Sequence, residues 1–273
     1  VPAGRALQSI LSSAARAAAC PSLDVITLMI GESERDNPPL AQDVAVIDTY
    51  QRDLVIRRFG IAAGHVHPVG LYKADVYSDE AGSPLDAGAR PRRVRYFSQP
   101  LGAVAIETFD ALLAAVERAN QEHPFELVVH PHPDEGERMR GYFQERLQHC
   151  ACQSTLADKP VRLSELENCD LVITMASNVA LKAAVLGRPI IVVDLRHSLP
   201  IRFDAYGLAE AATDPEGLAG LIKALLTNKQ AIEVLRIRQS AYFEANPQML
   251  EGDYGTSVWR AFEKSERDYR LRP

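Results

Sequence analysis

The chain has 273 residues, of which 47% are hydrophobic and 24% are charged, so it can bury a sizeable core and is long enough for about two domains. Its 30 Lys and Arg residues against 36 Asp and Glu residues give a net charge of −6, which excludes a globally basic surface of the kind that recruits nucleic acid. Any site for an anion must therefore be built locally.

The cysteines and the apolar runs favour a cytoplasmic protein. The four cysteines show no paired CxxC spacing, and Cys150-Ala151-Cys152 is too tight for an ordinary disulfide or zinc hook, so we expect reduced thiols. No stretch approaches the roughly 20 apolar residues that a membrane span requires.

The first part of the chain predicts the end of an α/β domain. Apolar runs at 24–30, 44–48 and 66–69 predict strands, and 50–59 predicts a helix that stops at Gly60. Short apolar runs that alternate with helices indicate a parallel sheet. Because residues 1–78 hold too few strands for a complete domain, we expect the remnant of a Rossmann-like domain there. Residues 79–91 are rich in turn formers and predict a linker.

Residues 92–273 predict a doubly wound α/β domain of Rossmann type with closing helices. Strands are expected at 94–97, 125–129, 170–174 and 189–194, and helices at 108–120, 135–148 and 178–186. Three further helices are expected at 215–226, 230–244 and 256–267, the last one docked by Trp259. In such a sheet, ligands bind at the carboxyl ends of the strands, so the loops that follow the strands are the candidate sites.

Two of these loops stand out. His130-Pro131-His132-Pro133 follows an apolar strand, and its prolines stiffen the turn, so an imidazole there could stabilise a departing phosphate. Ser177 falls where a helix N-cap belongs, and a helix N-terminus favours an anion. The alternatives are that the histidines cap the next helix or face solvent, and that Ser177 is a plain N-cap.

A third loop, which contains Ser98, Gln99 and Gly102, follows the first strand of the second domain. Its hydroxyl, amide and glycine could approach a sugar or a phosphate. An ordinary surface turn explains this composition equally well.

Residues 127–133 and 169–191, taken in order, resemble the carboxyl-terminal half of GT-B glycosyltransferases. The resemblance is strongest to bacterial capsule and surface-polysaccharide enzymes, including sialyl-, polysialyl- and Kdo-transferases, which carry a His-Pro motif and a serine motif that contact CMP. Glycerophosphotransferases that use CDP-glycerol are similar too. The functional His-Pro pair of that pattern matches His132-Pro133, with His130 as a supporting basic residue. Residues 43–70 resemble the end of the amino-terminal domain of such enzymes.

The resemblance implies transfer of a sugar from a nucleotide-activated donor, with a CMP-sugar favoured, to a cell-surface polysaccharide or glycolipid, without a metal or cofactor. Peripheral association with the inner face of the membrane stays open. His132 would stabilise the leaving phosphate, and the catalytic base is unassigned, with Glu32 as a weak candidate. The expected nucleotide-binding residues are His130, His132, Pro133, Ser98, Gln99, Ala176, Ser177 and Asn178.

One departure and three alternatives remain. Many relatives place a glutamate that holds the ribose where this chain has Lys182, and a lysine cannot accept those hydrogen bonds. His130 and His132 also have a metal-ligand spacing, which would suit a metal-dependent hydrolase. A UDP-sugar epimerase or hydrolase of the same fold, and a nucleotide-binding fragment without turnover, are the other two hypotheses.

Overall fold

The computed structural model describes residues 10–15, 17–18, 20–26, 38–71, 91–158, 161–199, 201–250 and 254–270. Contacts within the chain divide it into two units, of which the first combines Val1–Val76 with Phe243–Pro273 and the second is Tyr77–Tyr242. The segment expected to be a linker lies almost wholly outside the described residues, which resume at Pro91.

The first unit is built on a parallel sheet whose described strands are β1 (Leu23–Val25), β2 (Asp43–Val46) and β3 (Val66–Pro68), in that order. The helix α1 (Thr49–Phe59) connects β2 to β3. It begins where the Asp48 carboxylate accepts a hydrogen bond from the backbone N–H of Gln51, and it ends at Gly60 in the left-handed region, as the sequence predicts.

The second unit contains a parallel sheet with the strand order β6-β5-β4-β7-β8-β9 among the described residues. The chain begins in the middle of the sheet, winds outward to one edge, returns to the middle at β7 and winds outward to the other edge. This doubly wound order confirms the predicted fold class. The strands are β4 (Arg92–Phe97), β5 (Phe125–His130), β6 (Ser154–Leu156), β7 (Leu171–Thr174), β8 (Ile190–Val193) and β9 (Glu210–Ala212).

Helices pack on both faces of this sheet. On one face, buried side chains of β4, β5, β7 and β8 form the core with α2, α3 and α6. Residues that alternate with them, such as Val172 and Ile190, lie on the other face, where α5 packs. The helices are α2 (Ala103–Glu122), α3 (Glu137–Gln148), α4 (Leu163–Glu167), α5 (Val179–Val185), α6 (Pro215–Thr227) and α7 (Lys229–Ala245).

The end of the chain packs with the first unit, although the sequence places residues 92–273 in one domain. The last helix, α8 (Tyr254–Arg270), lies against β1 and β2 and buries Ala261 beside Ala45. The periodicity of a helix shows that one face is buried but not which sheet covers it. Trp259 does not dock this helix as predicted, because its side chain is 59% exposed.

A buried carboxylate fixes the same helix. The Ser265 hydroxyl of α8 donates a hydrogen bond of 2.6 Å to Asp43, whose other oxygen contacts His67 Nε2 at 2.9 Å and His65 Nδ1 at 3.0 Å. Burial alone would raise the pKa of Asp43, but the hydrogen bonds from Ser265 and the two histidines outweigh it and hold the pKa below its ordinary value. Asp43 therefore joins α8 and β3 to the start of β2.

Candidate functional site

The candidate site lies where three neighbouring strands of the second unit end. The strand order places β5, β4 and β7 side by side in the middle of the sheet. The loops that follow them, at 130–136, 98–102 and 174–178, therefore meet at the carboxyl-terminal ends of these strands. The winding of the chain reverses between β4 and β7, and such a switch point is where open α/β sheets bind their ligands. The structure thus brings the three sequence-predicted loops together.

Two buried polar side chains fix the backbone of the histidine turn. The Ser98 hydroxyl, at the end of β4, donates a hydrogen bond to Glu135 Oε2. The backbone N–H of His132 is shared between that carboxylate oxygen, at 2.8 Å, and the Ser98 hydroxyl oxygen, at 3.0 Å. Ser98 and Glu135 are both buried, so these bonds are shielded from water. The position of His132 is therefore set before any ligand arrives.

The ring of His132 is partly exposed, with 31% of the side chain accessible. Its Nδ1 accepts a hydrogen bond from the backbone N–H of Asp134 at 3.1 Å. A ring nitrogen that accepts cannot carry the proton of the neutral imidazole, so this bond favours the tautomer with the proton on Nε2, whereas the Asp134 carboxylate, 3.7 Å from Nδ1, favours a proton on Nδ1. Nε2 is therefore the ring atom of His132 that can donate a hydrogen bond to an anion.

His130 has a different environment from its neighbour. Its ring is buried, stacks on Phe97 with 4.7 Å between ring centroids, and accepts a hydrogen bond of 2.7 Å from Arg95 Nη1. Burial and the charge of Arg95 lower the pKa of His130 to about 4. The ring is neutral at pH 7, so the expectation that His130 supplies basic support is wrong at neutral pH.

The loop after β4 holds its neighbours in place. The Ser98 hydroxyl is engaged with Glu135 and His132, and Gln99 Nε2 donates to the Ser98 carbonyl at 2.8 Å. Gly102 then turns the chain with φ 59° into α2, a helix of 20 residues. Among the described residues no side chain caps its first turn, and the N–H groups of Val104 and Ala105 donate instead to the carbonyls of Leu101 and Gly102, at 3.3 and 3.1 Å.

The loop after β7 is tied to β4 in a similar way. The Thr174 hydroxyl donates to the Phe97 carbonyl at 3.0 Å and accepts from the Ser177 N–H at 3.3 Å. The Ser177 hydroxyl accepts from the Val179 N–H at 3.3 Å, which is the predicted capping bond, although the N-cap position itself falls on Asn178. Ala176 is buried, whereas Ser177 and Asn178 are half-buried and partly accessible at the end of β7.

Some predicted participants lie elsewhere. Glu32 lies outside the described residues. Lys182 is half-buried on α5, one turn beyond Asn178. Within the described ranges, no group of three or more His, Cys, Asp or Glu residues is arranged to hold a metal ion.

Sequence reasoning missed Glu135. Its signal is the spacing His132-x-x-Glu135, because a carboxylate three residues after a turn residue commonly accepts that residue's N–H, as in a capping box. Here the Glu135 N–H also donates to the His132 carbonyl at 2.9 Å.

No family model matches the chain, and no curated protein matches it. Solved structures do. Both units have the Rossmann-like architecture of GT-B proteins. One similar structure is S. aureus MnaA with UDP, at 15% identity and a TM-score of 0.69, which covers 96% of this chain and 72% of MnaA.

Two other structures extend this likeness. A candidate UDP-N-acetylglucosamine 2-epimerase from Listeria monocytogenes has 16% identity and a TM-score of 0.65, with 97% of this chain and 72% of that chain covered. A glycosyltransferase from Rickettsia africae has 8% identity and a TM-score of 0.61, with coverages of 96% and 81%. At these identities the likeness establishes the fold.

In the described part of the chain, no helix is long and apolar enough to cross a membrane.

Proposed function

We propose that the chain is a glycosyltransferase that binds a nucleotide-activated sugar at the carboxyl-terminal ends of β5, β4 and β7. The observation that carries this proposal is the fixed backbone of His132, whose ring Nδ1 is engaged by the Asp134 N–H so that Nε2 is left for a ligand. A glycosyl transfer releases a nucleotide phosphate, and a preorganised donor that meets the developing charge lowers the barrier. The GT-B fold and the motif resemblance support the same reaction class.

The phosphate would be held from two sides. His132 Nε2 would donate from the turn after β5, and the N-terminus of α2 would contribute the partial positive charge of its helix dipole. The Ser177 hydroxyl accepts from the Val179 N–H and keeps its own proton for a ligand oxygen. None of these groups depends on a metal ion.

The proposal also names a class of donor and a class of acceptor. The motif resemblance favours a CMP-sugar and a cell-surface polysaccharide or glycolipid acceptor. Lys182 stands where a ribose-holding glutamate is expected, so the nucleoside must be decided by measurement.

The test is a nucleotide panel. Binding of CMP, CDP and UDP is measured by isothermal titration calorimetry on the wild type, on His132→Ala, and on His149→Ala as a matched control. His149 is an exposed histidine at the end of α3, away from the three loops. We expect cytidine nucleotides to bind best, His132→Ala to lose about tenfold or more in affinity, and His149→Ala to match the wild type. Equal binding by the wild type and His132→Ala would refute the site.

A second candidate function is 2-epimerisation of a UDP-sugar. It is favoured by two of the similar structures, one solved with UDP and one described as a candidate UDP-N-acetylglucosamine 2-epimerase. Incubation with UDP-N-acetylglucosamine, followed by proton NMR of the sugar, separates the two reactions. Appearance of the C2 epimer without an acceptor would replace the transferase proposal.

A further inference from the structure

One half of the sheet in the second unit carries polar residues on the face opposite the core. Arg93 and Arg95 alternate along β4 with core residues. The strand register pairs Arg93 with Glu126 and Arg95 with Val128, and Val128 in turn pairs with Thr155 of β6. These five side chains form a continuous floor across three strands.

A cleft of about 970 Å³ lies on this floor, with α4 along one side. The volume lies at the upper end of the range of small-molecule sites, which is roughly 300–1,000 Å³. The polar residues that line it are Thr155, Ser164 and Asn168, three arginines (Arg93, Arg95 and Arg162) and three acidic residues (Glu126, Asp158 and Glu165). It lies on the face of the sheet, whereas the three candidate loops lie at the ends of the strands.

Arg95 is the unusual residue in the cleft. It is only 6% exposed, yet its Nε has no hydrogen-bond partner in the part of the chain that the structure describes. Its Nη1 donates to His130, and the nearest carboxylate oxygen, Glu165 Oε1, is 3.7 Å from Nη1. A buried guanidinium with an unused donor is costly unless an acceptor reaches it. The other two arginines have closer carboxylate contacts, with 3.3 Å from Arg93 to Glu126 and 3.6 Å from Arg162 to Glu165.

We propose that this cleft is a second ligand site, separate from the nucleotide site, that binds an anionic sugar with its phosphate or carboxylate group on Arg95. A guanidinium recognises both groups through paired N–H donors, and the carboxylate contact that the structure describes for Arg95 is a long one, 3.7 Å to Glu165. Thr155, Ser164 and Asn168 supply partners for sugar hydroxyls, and Val128 and Leu156 supply apolar surface for the ring carbons. The size of the cleft suits a whole sugar phosphate better than a lone ion.

The test measures binding of glucose 1-phosphate by calorimetry, with glucuronate, inorganic phosphate and free glucose as comparisons. Glucuronate distinguishes a carboxylate ligand from a phosphate ligand. We expect at least one anionic sugar to bind and free glucose not to bind. Each titration is repeated with CMP, CDP or UDP at saturation, and we expect the nucleotide to leave the binding unchanged. Because the titration is also made without nucleotide, failure of the proposed function does not affect this result.

Three variants locate the ligand. Arg95→Gln and Arg93→Gln should each weaken binding of the anionic sugar, Arg95→Gln by about tenfold or more. Arg146→Gln is the matched control, because the side chains of Arg146 and Arg93 are similarly exposed, at 43% and 38%, and each guanidinium has one carboxylate partner among the residues that the structure describes. If Arg95→Gln does not fold, Arg93→Gln decides. Unchanged affinity in the cleft variants, full displacement by nucleotide, or equal binding of free glucose would overturn the proposal.

Discussion

The hydroxyl of Ser98 donates a hydrogen bond to the carboxylate of Glu135, and this bond joins the end of β4 to the turn after β5. Both side chains are buried, and both accept from the backbone N–H of His132. Residues 37 positions apart therefore determine where the imidazole of His132 lies. The groups that position His132 thus lie beneath the residue that would touch the ligand.

Replacing Ser98 with alanine tests this arrangement. Loss of the hydroxyl leaves the buried Glu135 carboxylate with one partner fewer, so we expect the free energy of unfolding to fall by about 1–3 kcal/mol. Urea unfolding at pH 7 measures this change. Ser154→Ala is the control, because within the described ranges the Ser154 hydroxyl makes a single long contact, 3.4 Å to the Leu147 carbonyl. If both variants lose the same stability, Ser98 has no special positioning role.

The sequence predicts the three site loops because each follows a recognisable strand, of which β5 and β7 are mainly apolar and β4 alternates arginines with core residues. It does not predict β6 or β9, which have three residues each and lie at the two edges of the sheet, where burial is incomplete. Helix α2 begins five residues before its predicted start, because Gly102 opens it without a side-chain cap.

The electrostatics of the site also exceed what a sequence pattern can show. His130 and His132 are two residues apart, each is followed by a proline, and the sequence alone does not show that their environments differ. In the structure one is buried against Arg95 and the other is at the surface, since β5 ends between them. The packing of residues 243–273 with the first unit is a similar case, because it depends on contacts such as that of Ser265 with Asp43, 222 positions away.

The tautomer of His132 yields a second prediction. A glutamine at this position can place its amide N–H near the position of Nε2, whereas an asparagine amide corresponds to Nδ1. His132→Gln should therefore retain nucleotide affinity within a few fold of the wild type, and His132→Asn should lose about tenfold or more. Calorimetric titration with the best nucleotide of the panel measures both. Equal losses would show that Nε2–H is not the group that binds.

The buried ring of His130 predicts an acid-dependent loss of stability. Its folded pKa of about 4 lies below the ordinary value of about 6.5. Between these values the unfolded chain binds a proton that the folded protein does not, so stability falls as the pH drops from about 6.5 towards 4, by up to about 3 kcal/mol. Above pH 6.5 this contribution is fully present.

Urea unfolding of the wild type and of His130→Gln at pH 7, 6, 5 and 4.5 measures this effect. Glutamine keeps an acceptor for Arg95 but does not titrate, so the variant should lose less stability over this range. Groups other than His130 affect both proteins alike, which isolates the histidine. Parallel pH dependences would contradict the low pKa of His130.

The last prediction concerns the close approach of two backbone segments in the first unit. Gly70 has φ 91°, and a Cβ there would lie 2.0 Å from the Gln248 carbonyl oxygen, which belongs to the short 3₁₀ turn Pro247–Met249. Gly60 has φ 67°, but no atom of the described residues lies within 4 Å of a Cβ built there. Gly60→Ala should cost about 1 kcal/mol from backbone strain alone, while Gly70→Ala should cost about 3 kcal/mol or more, because a main-chain oxygen must also move. Comparing urea unfolding midpoints of the two variants separates strain from steric overlap, and similar midpoints would mean that residues 247–249 do not pack against Gly70.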